Sequence, residues 1–301
     1  MLAPEDESLA GEDREECARI CREIVRTHSK SFYLSSLFLG TEKRRAIWAV
    51  YAFCRTADDM VDRVAPPCER LAALDAWERG LIDAHAGRPH GAIYVAYAEA
   101  IRRFAIPIEP ALDLLRGARL DVTVRRYETH DALLDYCYLV ASTVGLLVIP
   151  ILGTSSPNAQ PYGIALGRAM QMTNILRDVG EDARMDRIYL PASDLRRFAC
   201  SEQTILEGRI DEAFVALMRF EIEQVRAMYR EAEPGINLLA PDARYTVRLA
   251  RDLYRGILDR IEANRYDVFS RRAYVPFRTK MLLAVGAAMN ARTGGPSTSS
   301  G

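Results

Sequence analysis

The residues of this chain that could do chemistry fall in two stretches. In the first, Tyr51-Ala-Phe-Cys-Arg55-Thr-Ala-Asp58-Asp59-Met-Val-Asp62, the residues Tyr51, Arg55, Asp58 or Asp59, and Asp62 share one stripe at helical period. In the second, Gln171, Asn174, Asp178 and Asp182 recur at i, i+3, i+7 and i+11, flanked by Ile175, Leu176 and Val179. A single Asp pair at i, i+4 is common on a solvated helix face. Two such pairs, each beside apolar neighbours and each with an arginine at hand (Arg55, Arg177), ask for another reading. Carboxylates on one edge hold Mg²⁺, or Mn²⁺, and leave the remaining octahedral positions to water and phosphate oxygens. Asn174 and Gln171 add neutral oxygens to the same stripe, and the guanidinium groups suit bidentate capture of a diphosphate. Facing each other across an apolar cleft, the two stripes suit ionisation of an allylic diphosphate. Cations neutralise the leaving group, and apolar walls keep water from the carbocation.

The elements that must position these stripes read as helices almost throughout. Ala, Leu, Arg and Glu dominate the segments, and alternation of the strand kind is nearly absent. The patterning predicts helices over about 13–27, from Thr41 through Asp62, and over 68–86, 91–104, 110–120 and 130–149, the last stopped by Pro150. Further helices are expected over 162–182, from Pro191, over 201–232 with a break at Pro234-Gly235, and over 242–265 and 276–291. No linker or internal repeat divides them. The expected architecture is one all-α domain over 13–292, a helical bundle around a central cavity, with 1–12 and 293–301 as disordered tails.

Composition narrows the function. The 301 residues are 49% hydrophobic and 27% charged with a net charge of −1, which disfavours a nucleic-acid partner. The six cysteines show no paired ligand spacing with histidine, so free thiols and a cytoplasmic setting are expected. The apolar run from Tyr138 to Gly153 is too short and interrupted for a membrane span and predicts a buried central helix. Peripheral membrane contact stays open, as does the oligomeric state. No phosphate-binding loop, dinucleotide fingerprint or His-Glu-x-x-His occurs, so nucleotide, NAD(P) and catalytic-zinc chemistry lack support.

Four strings, in order, carry a family resemblance: His28-Ser-Lys-Ser-Phe32, Tyr51 through Asp62, Tyr136-Cys-Tyr-Leu-Val-Ala-Ser-Thr-Val-Gly145, and Asn174-Ile-Leu-Arg-Asp-Val-Gly-Glu-Asp182 with Arg187-Ile-Tyr-Leu-Pro191. The chain resembles the squalene/phytoene synthases over about residues 15–290. The resemblance implies an isoprenoid-synthase fold and head-to-head condensation of two geranylgeranyl diphosphates, through prephytoene diphosphate, to phytoene, a step of carotenoid biosynthesis. It implies that Asp58, Asp62, Asp178 and Asp182 hold Mg²⁺, with Asn174 on the same wall. It places Arg55, His28 and Ser31 around the diphosphates, with Gln171 on the same wall, and Tyr51, Tyr136 and Tyr254 near the phosphates or the cations, while Arg177 joins the diphosphate set on its place beside Asp178. Arg271 or Arg272 is a further phosphate contact, with Arg271 taken for the register. No NADPH is expected. Two departures stand out: Ser142 where many members have Gly, expected to be neutral, and Asp186 where a Gly is usual before Arg-Ile-Tyr-Leu-Pro. The rival readings are a farnesyl diphosphate enzyme making dehydrosqualene or presqualene diphosphate, and a helical scaffold that has lost the chemistry. Retention of all four Asp and Arg55 speaks against the scaffold.

Overall fold

The computed structural model describes residues 14–274, apart from the side chain of Ser31. Among the described residues the chain is helical, with only two isolated bridges, Arg126 to Ile188 and Thr154 to Leu239. In order the helices are α1 (Arg14–His28), α2 (Lys30–Ser36), α3 (Thr41–Asp62), α4 (Pro67–His85), α5 (Ala92–Phe104), α6 (Glu109–Thr123) and α7 (His130–Cys137). A π-helical turn, Tyr138–Ser142, leads into α8 (Thr143–Leu152), followed by α9 (Ala159–Arg184), α10 (Ala192–Arg197), α11 (Glu202–Leu206), α12 (Glu212–Ile236) and α13 (Pro241–Ala263). The expected helix at 276–291 and both expected tails lie outside the described residues.

Among the boundaries that differ from the sequence reading, three have a plain local reason. Pro150 does not stop its helix: it sits within α8, which runs on to Leu152. Pro234 and Gly235 likewise lie inside the last turn of α12. A proline so near a helix end removes only one of the last ladder bonds. The segment expected as one helix over 201–232 is two, because Gly208 takes a left-handed φ of +67° and Asp211 caps α12, accepting from the Phe214 amide at 2.9 Å.

A domain of this size usually has one contiguous apolar core. Here there are two. One gathers buried residues of α1, α3, α4, α5, α6 and α8, such as Phe53, Leu74, Leu115 and Leu147. The other gathers α7, α9 and α11 to α13, such as Leu133, Met172, Leu217, Ile222 and Leu258. The π-helical turn and α8 run between them, packing on α3, α6 and α9. By length and composition the stretch His130–Leu152 could cross a membrane, yet only a third of it is buried. The expected buried central helix is therefore covered but loosely packed: no residue from Tyr138 to Leu152 is exposed, and more than half are only partly buried. Surrounded by helices, its half-covered Val140, Val144 and Val148, with Leu166 and Met170 of α9, form the apolar wall of a hollow between the two cores.

Close approach holds that wall in place. A Cβ on Gly167 of α9 would stand 2.5 Å from the Ser142 Cα, and one on Gly117 of α6 would stand 2.9 Å from the Leu139 Cβ. The two glycines thus grip the π-helical turn from both sides. Ser142, buried in the turn, donates to the Ile164 carbonyl at 2.8 Å, so the side chain expected to be neutral has a tertiary bond of its own.

Candidate functional site

α3 is buried on most of its circumference by Ala46 through Val50, Ala52, Phe53, Cys54, Ala57 and Val61. The strip left over carries Tyr51, Arg55, Asp58 and Asp62. α9 packs along α12 through Ala165, Ala169, Met172, Leu176 and Val179, leaving the opposite strip to Gln171, Asn174, Arg177, Asp178 and Asp182. Both strips face the hollow, and a carboxylate from a third helix lies between them. Asp121 of α6 feels Asp62 and Asp58 on one side and Asp182 on the other. It accepts hydrogen bonds from Tyr136 at 2.7 Å and Tyr189 at 3.1 Å, and Arg187 donates to its carbonyl at 3.1 Å. Tyr127, Tyr136 and Tyr189 stack into one aromatic group with centroids 5.2 to 5.8 Å apart.

The electrostatics are those of a site with more negative charge than the protein itself offsets. Burial first, then the charges of Asp121, Asp62 and Asp59 against the relief from Arg55, push Asp58 up to about 7. Asp58 is nevertheless open to water within the hollow. Water there tempers the desolvation, and the crowding of like charges is the firmer cause. Asp182 is raised to about 7 by burial and Asp178, and Asp121 to about 6 by burial, against the hydrogen bonds of Tyr136 and Tyr189. Among the described residues no Lys or Arg lies within ion-pair distance of Asp58, Asp62 or Asp182. These are hard oxygen donors whose charge no side chain offsets, the condition that fits Mg²⁺.

Arginines complete the ring. Arg55 pairs with Asp59, and Arg177 holds Asp178 by two bonds, at 2.7 and 2.5 Å. Arg272 reaches the same Asp178 at 3.1 Å and Glu181 at 3.5 Å. The Nε atoms of Arg55 and Arg187 are buried without a hydrogen-bond partner among the described residues. Tyr254 of α13 is close enough to Arg177, Asp178 and Tyr51 to feel each of them, and Phe32 stacks on Tyr51 at 5.1 Å.

The structure thus brings together Tyr51, Arg55, Asp58, Asp62, Tyr136, Gln171, Asn174, Arg177, Asp178, Asp182 and Tyr254. Between Asn174 and Gln171 there is only a long contact of 3.4 Å. Arg271 is not brought in. It is exposed beside Asp267, and Arg272 takes the place expected for it, because the chain after α13 turns through left-handed Arg265 and Tyr266 that no periodicity announces. His28 ends α1, exposed, with no hydrogen bond or ion pair among the described residues. Its neighbour Ser29 caps α2 and lies beside Tyr51. The side chain of Ser31 lies outside what is described. Asp121, Tyr127, Arg187 and Tyr189 are the members that sequence reasoning did not assign. Asp186 explains its own departure from glycine: it holds a left-handed φ of +55° and compensates by an ion pair to Arg126 at 2.8 Å.

Facing carboxylate stripes, arginines and an apolar hollow inside a helical bundle define a prenyltransferase working on allylic diphosphates. The chain belongs to the squalene/phytoene synthase family, whose model matches residues 25–279. It is 44% identical over 292 residues to the phytoene synthase of Arthrospira platensis, covering 93% of this chain and 94% of that one. To the 15-cis-phytoene synthase of a Synechocystis strain it is 45% identical over 280 residues, covering 89% and 83%. Among solved structures, a dehydrosqualene synthase in complex with ligand superposes with a TM-score of 0.87 at 34% identity, covering 93% of this chain and 98% of that one. Membership implies prenyl diphosphate substrates and metal-dependent ionisation of the diphosphate.

Proposed function

We infer that this enzyme joins two geranylgeranyl diphosphates head to head into phytoene. The observation that carries the chemistry is the pair of carboxylate stripes on α3 and α9, with Asp121 between them, at the edge of an apolar hollow. Asp58 and Asp62 would hold cations at one diphosphate, and Asp178 and Asp182, with Asn174, at the other. When bound, Mg²⁺, or Mn²⁺ in its place, supplies neutralising charge to the departing diphosphate. Arg55, Arg177, Arg187 and Arg272 would take diphosphate oxygens, with Gln171, His28 and Ser31 bordering them.

Loss of the first diphosphate leaves an allylic cation. The double bond of the second substrate attacks it and a proton leaves, giving cyclopropyl prephytoene diphosphate. Loss of the second diphosphate, ring opening and a second proton loss give the C40 hydrocarbon. No reductant enters this balance, so no NADPH is required. The Tyr136 hydroxyl donates to Asp121, which leaves its oxygen lone pairs and the stacked rings free to face positive charge. Tyr51 and Tyr254 serve the same end from α3 and α13. No disulfide joins the cysteines among the described residues, which suits a reducing cytoplasm, and the apolar substrates suit an enzyme working at a membrane surface.

The dehydrosqualene synthase likeness makes the C15 substrate the reading to test against. Purified protein with Mg²⁺ and either geranylgeranyl or farnesyl diphosphate, with products identified by mass, separates them. A C40 hydrocarbon formed from the longer substrate, and no C30 product from the shorter, is the expected result. A C30 hydrocarbon or an arrested cyclopropyl diphosphate from farnesyl diphosphate would move the enzyme to the sibling reaction.

A further inference from the structure

One cluster of ligand-type side chains lies outside this chemistry. His130 opens α7, Asp194 lies in α10 and Glu221 in the middle of α12, and one ligand atom from each falls within 4.8 Å of the other two. Glu221 is wholly shielded from solvent, at 0% exposure, and apart from the facing Asp194 carboxyl neither of its carboxylate oxygens has a hydrogen-bond partner among the described residues. The His130 Nδ1 and Asp194 Oδ2 atoms are buried and partnerless as well, facing each other at 4.0 Å. Among the described residues no Lys or Arg is within ion-pair distance of either carboxylate.

Two acidic groups cannot stay ionised and bare in such a place, so something must neutralise them. A proton is the simplest candidate. Burial, and then the facing Asp194, push Glu221 up to about 8. A single proton shared between the two carboxyls still leaves one Glu221 oxygen without a partner. A dication meets all three ligands at once and cancels both charges. One imidazole nitrogen with two carboxylates, and a fourth position for water, suits zinc better than Mg²⁺ or Ca²⁺, which favour oxygen.

We propose that His130, Asp194 and Glu221 bind a divalent transition-metal ion, zinc by preference, which staples α7, α10 and α12 together. The staple would fix two parts of the catalytic interior from outside. α7 carries Tyr136. The segment before α10 carries Arg187 and Tyr189, and is otherwise held by the Arg126 to Ile188 bridge and by hydrogen bonds that the Ala192 and Ser193 amides donate to the Tyr127 and Glu128 carbonyls at 2.9 and 3.0 Å.

The test uses the full chain, stripped of metal and then titrated with Zn²⁺ under excess Mg²⁺, which occupies the catalytic carboxylates. Calorimetry should find one Zn²⁺ per chain, and Co²⁺ in its place should give visible d–d absorption. Glu221→Gln should weaken Zn²⁺ affinity at least about 100-fold, since loss of a ligand should cost no less than loss of the outer-shell contacts that orient one. His130→Gln, at a half-exposed helix start, gives the same readout should the buried variant fail to fold. Asp178→Asn should leave the zinc stoichiometry intact. Absence of a zinc equivalent overturns the proposal, as does one that survives both cluster substitutions or disappears with Asp178→Asn. The cluster would then be a proton-sharing pair. None of its three residues belongs to the condensation chemistry, so failure here leaves that reading standing.

Discussion

Replacing Asp58 or Asp178 with Ala should lower turnover at least about 1,000-fold while the helices stay formed. A cation on the leaving group contributes several kcal/mol to the transition state, and each 1.36 kcal/mol is a factor of ten. The two substitutions should part company in stability. Among the described residues Asp58 has no ion-pair partner, and it is crowded by Asp121, Asp62 and Asp59. Its removal relieves repulsion, so the metal-free Asp58→Ala protein should melt no lower than the parent. Asp178 is the shared partner of Arg177 and Arg272. Its removal strands a half-buried guanidinium and should cost about 1–3 kcal/mol. Turnover assays beside melting curves decide both points. Near-normal activity in either variant with its helicity intact would sink the two-stripe metal site.

The metal-free protein should lose stability as pH rises from about 4 to about 7, and Mg²⁺ should restore it only toward the upper end. The sign follows from three raised carboxyls. Asp58 and Asp182 at about 7 and Asp121 at about 6 hold protons in the folded state that the unfolded chain, near its ordinary 3.8, has released. Their contribution is complete below the unfolded value and lost as pH climbs through the folded ones. Glu221, raised to about 8, adds to the same slope without touching the catalytic cations. Mg²⁺ isolates the site, because it competes with protons for these oxygens. At 100 times its dissociation constant it adds about 2.7 kcal/mol at pH 8 and much less at pH 5.5. Melting curves with and without Mg²⁺ at the two pH values measure the difference. An equal shift at both would mean that protons and metal do not share these groups.

The Asp stripes were legible because a helix turns linear spacing into geometry: four residues at i, i+3 and i+4 steps must share a face wherever the helix packs. Asp121 had no such signal. In Arg119-Leu-Asp-Val it is one acid among many, and what makes it part of the site is the arrival of Tyr136 and Tyr189 from elsewhere in the chain. Arg272 differs from Arg271 by one residue in an irregular segment, where period says nothing about direction. The proline boundaries failed for a related reason. A proline's cost depends on how many ladder bonds remain beyond it, and Pro150 and Pro234 stand within a turn of their helix ends. Helix content and order, by contrast, rest on composition and period and came through nearly intact.

The arginine clasps on Asp178 and Asp59 bear on the order of assembly. A cation approaching Asp178 alone must displace Arg177 and Arg272, and a diphosphate approaching those arginines alone must pull them from the carboxylate. Arriving together, each ligand takes one half of the clasp and leaves no charge stranded. Metal held at Asp178 and substrate held by these arginines would therefore be heterotropic partners, each raising the affinity for the other by one common factor. Inorganic diphosphate titrated with and without Mg²⁺ measures that factor, and a value of one would mean the clasp stays shut. With those contacts, the closed clasp would act as a coincidence detector, keeping the ionising machinery idle until both components are present.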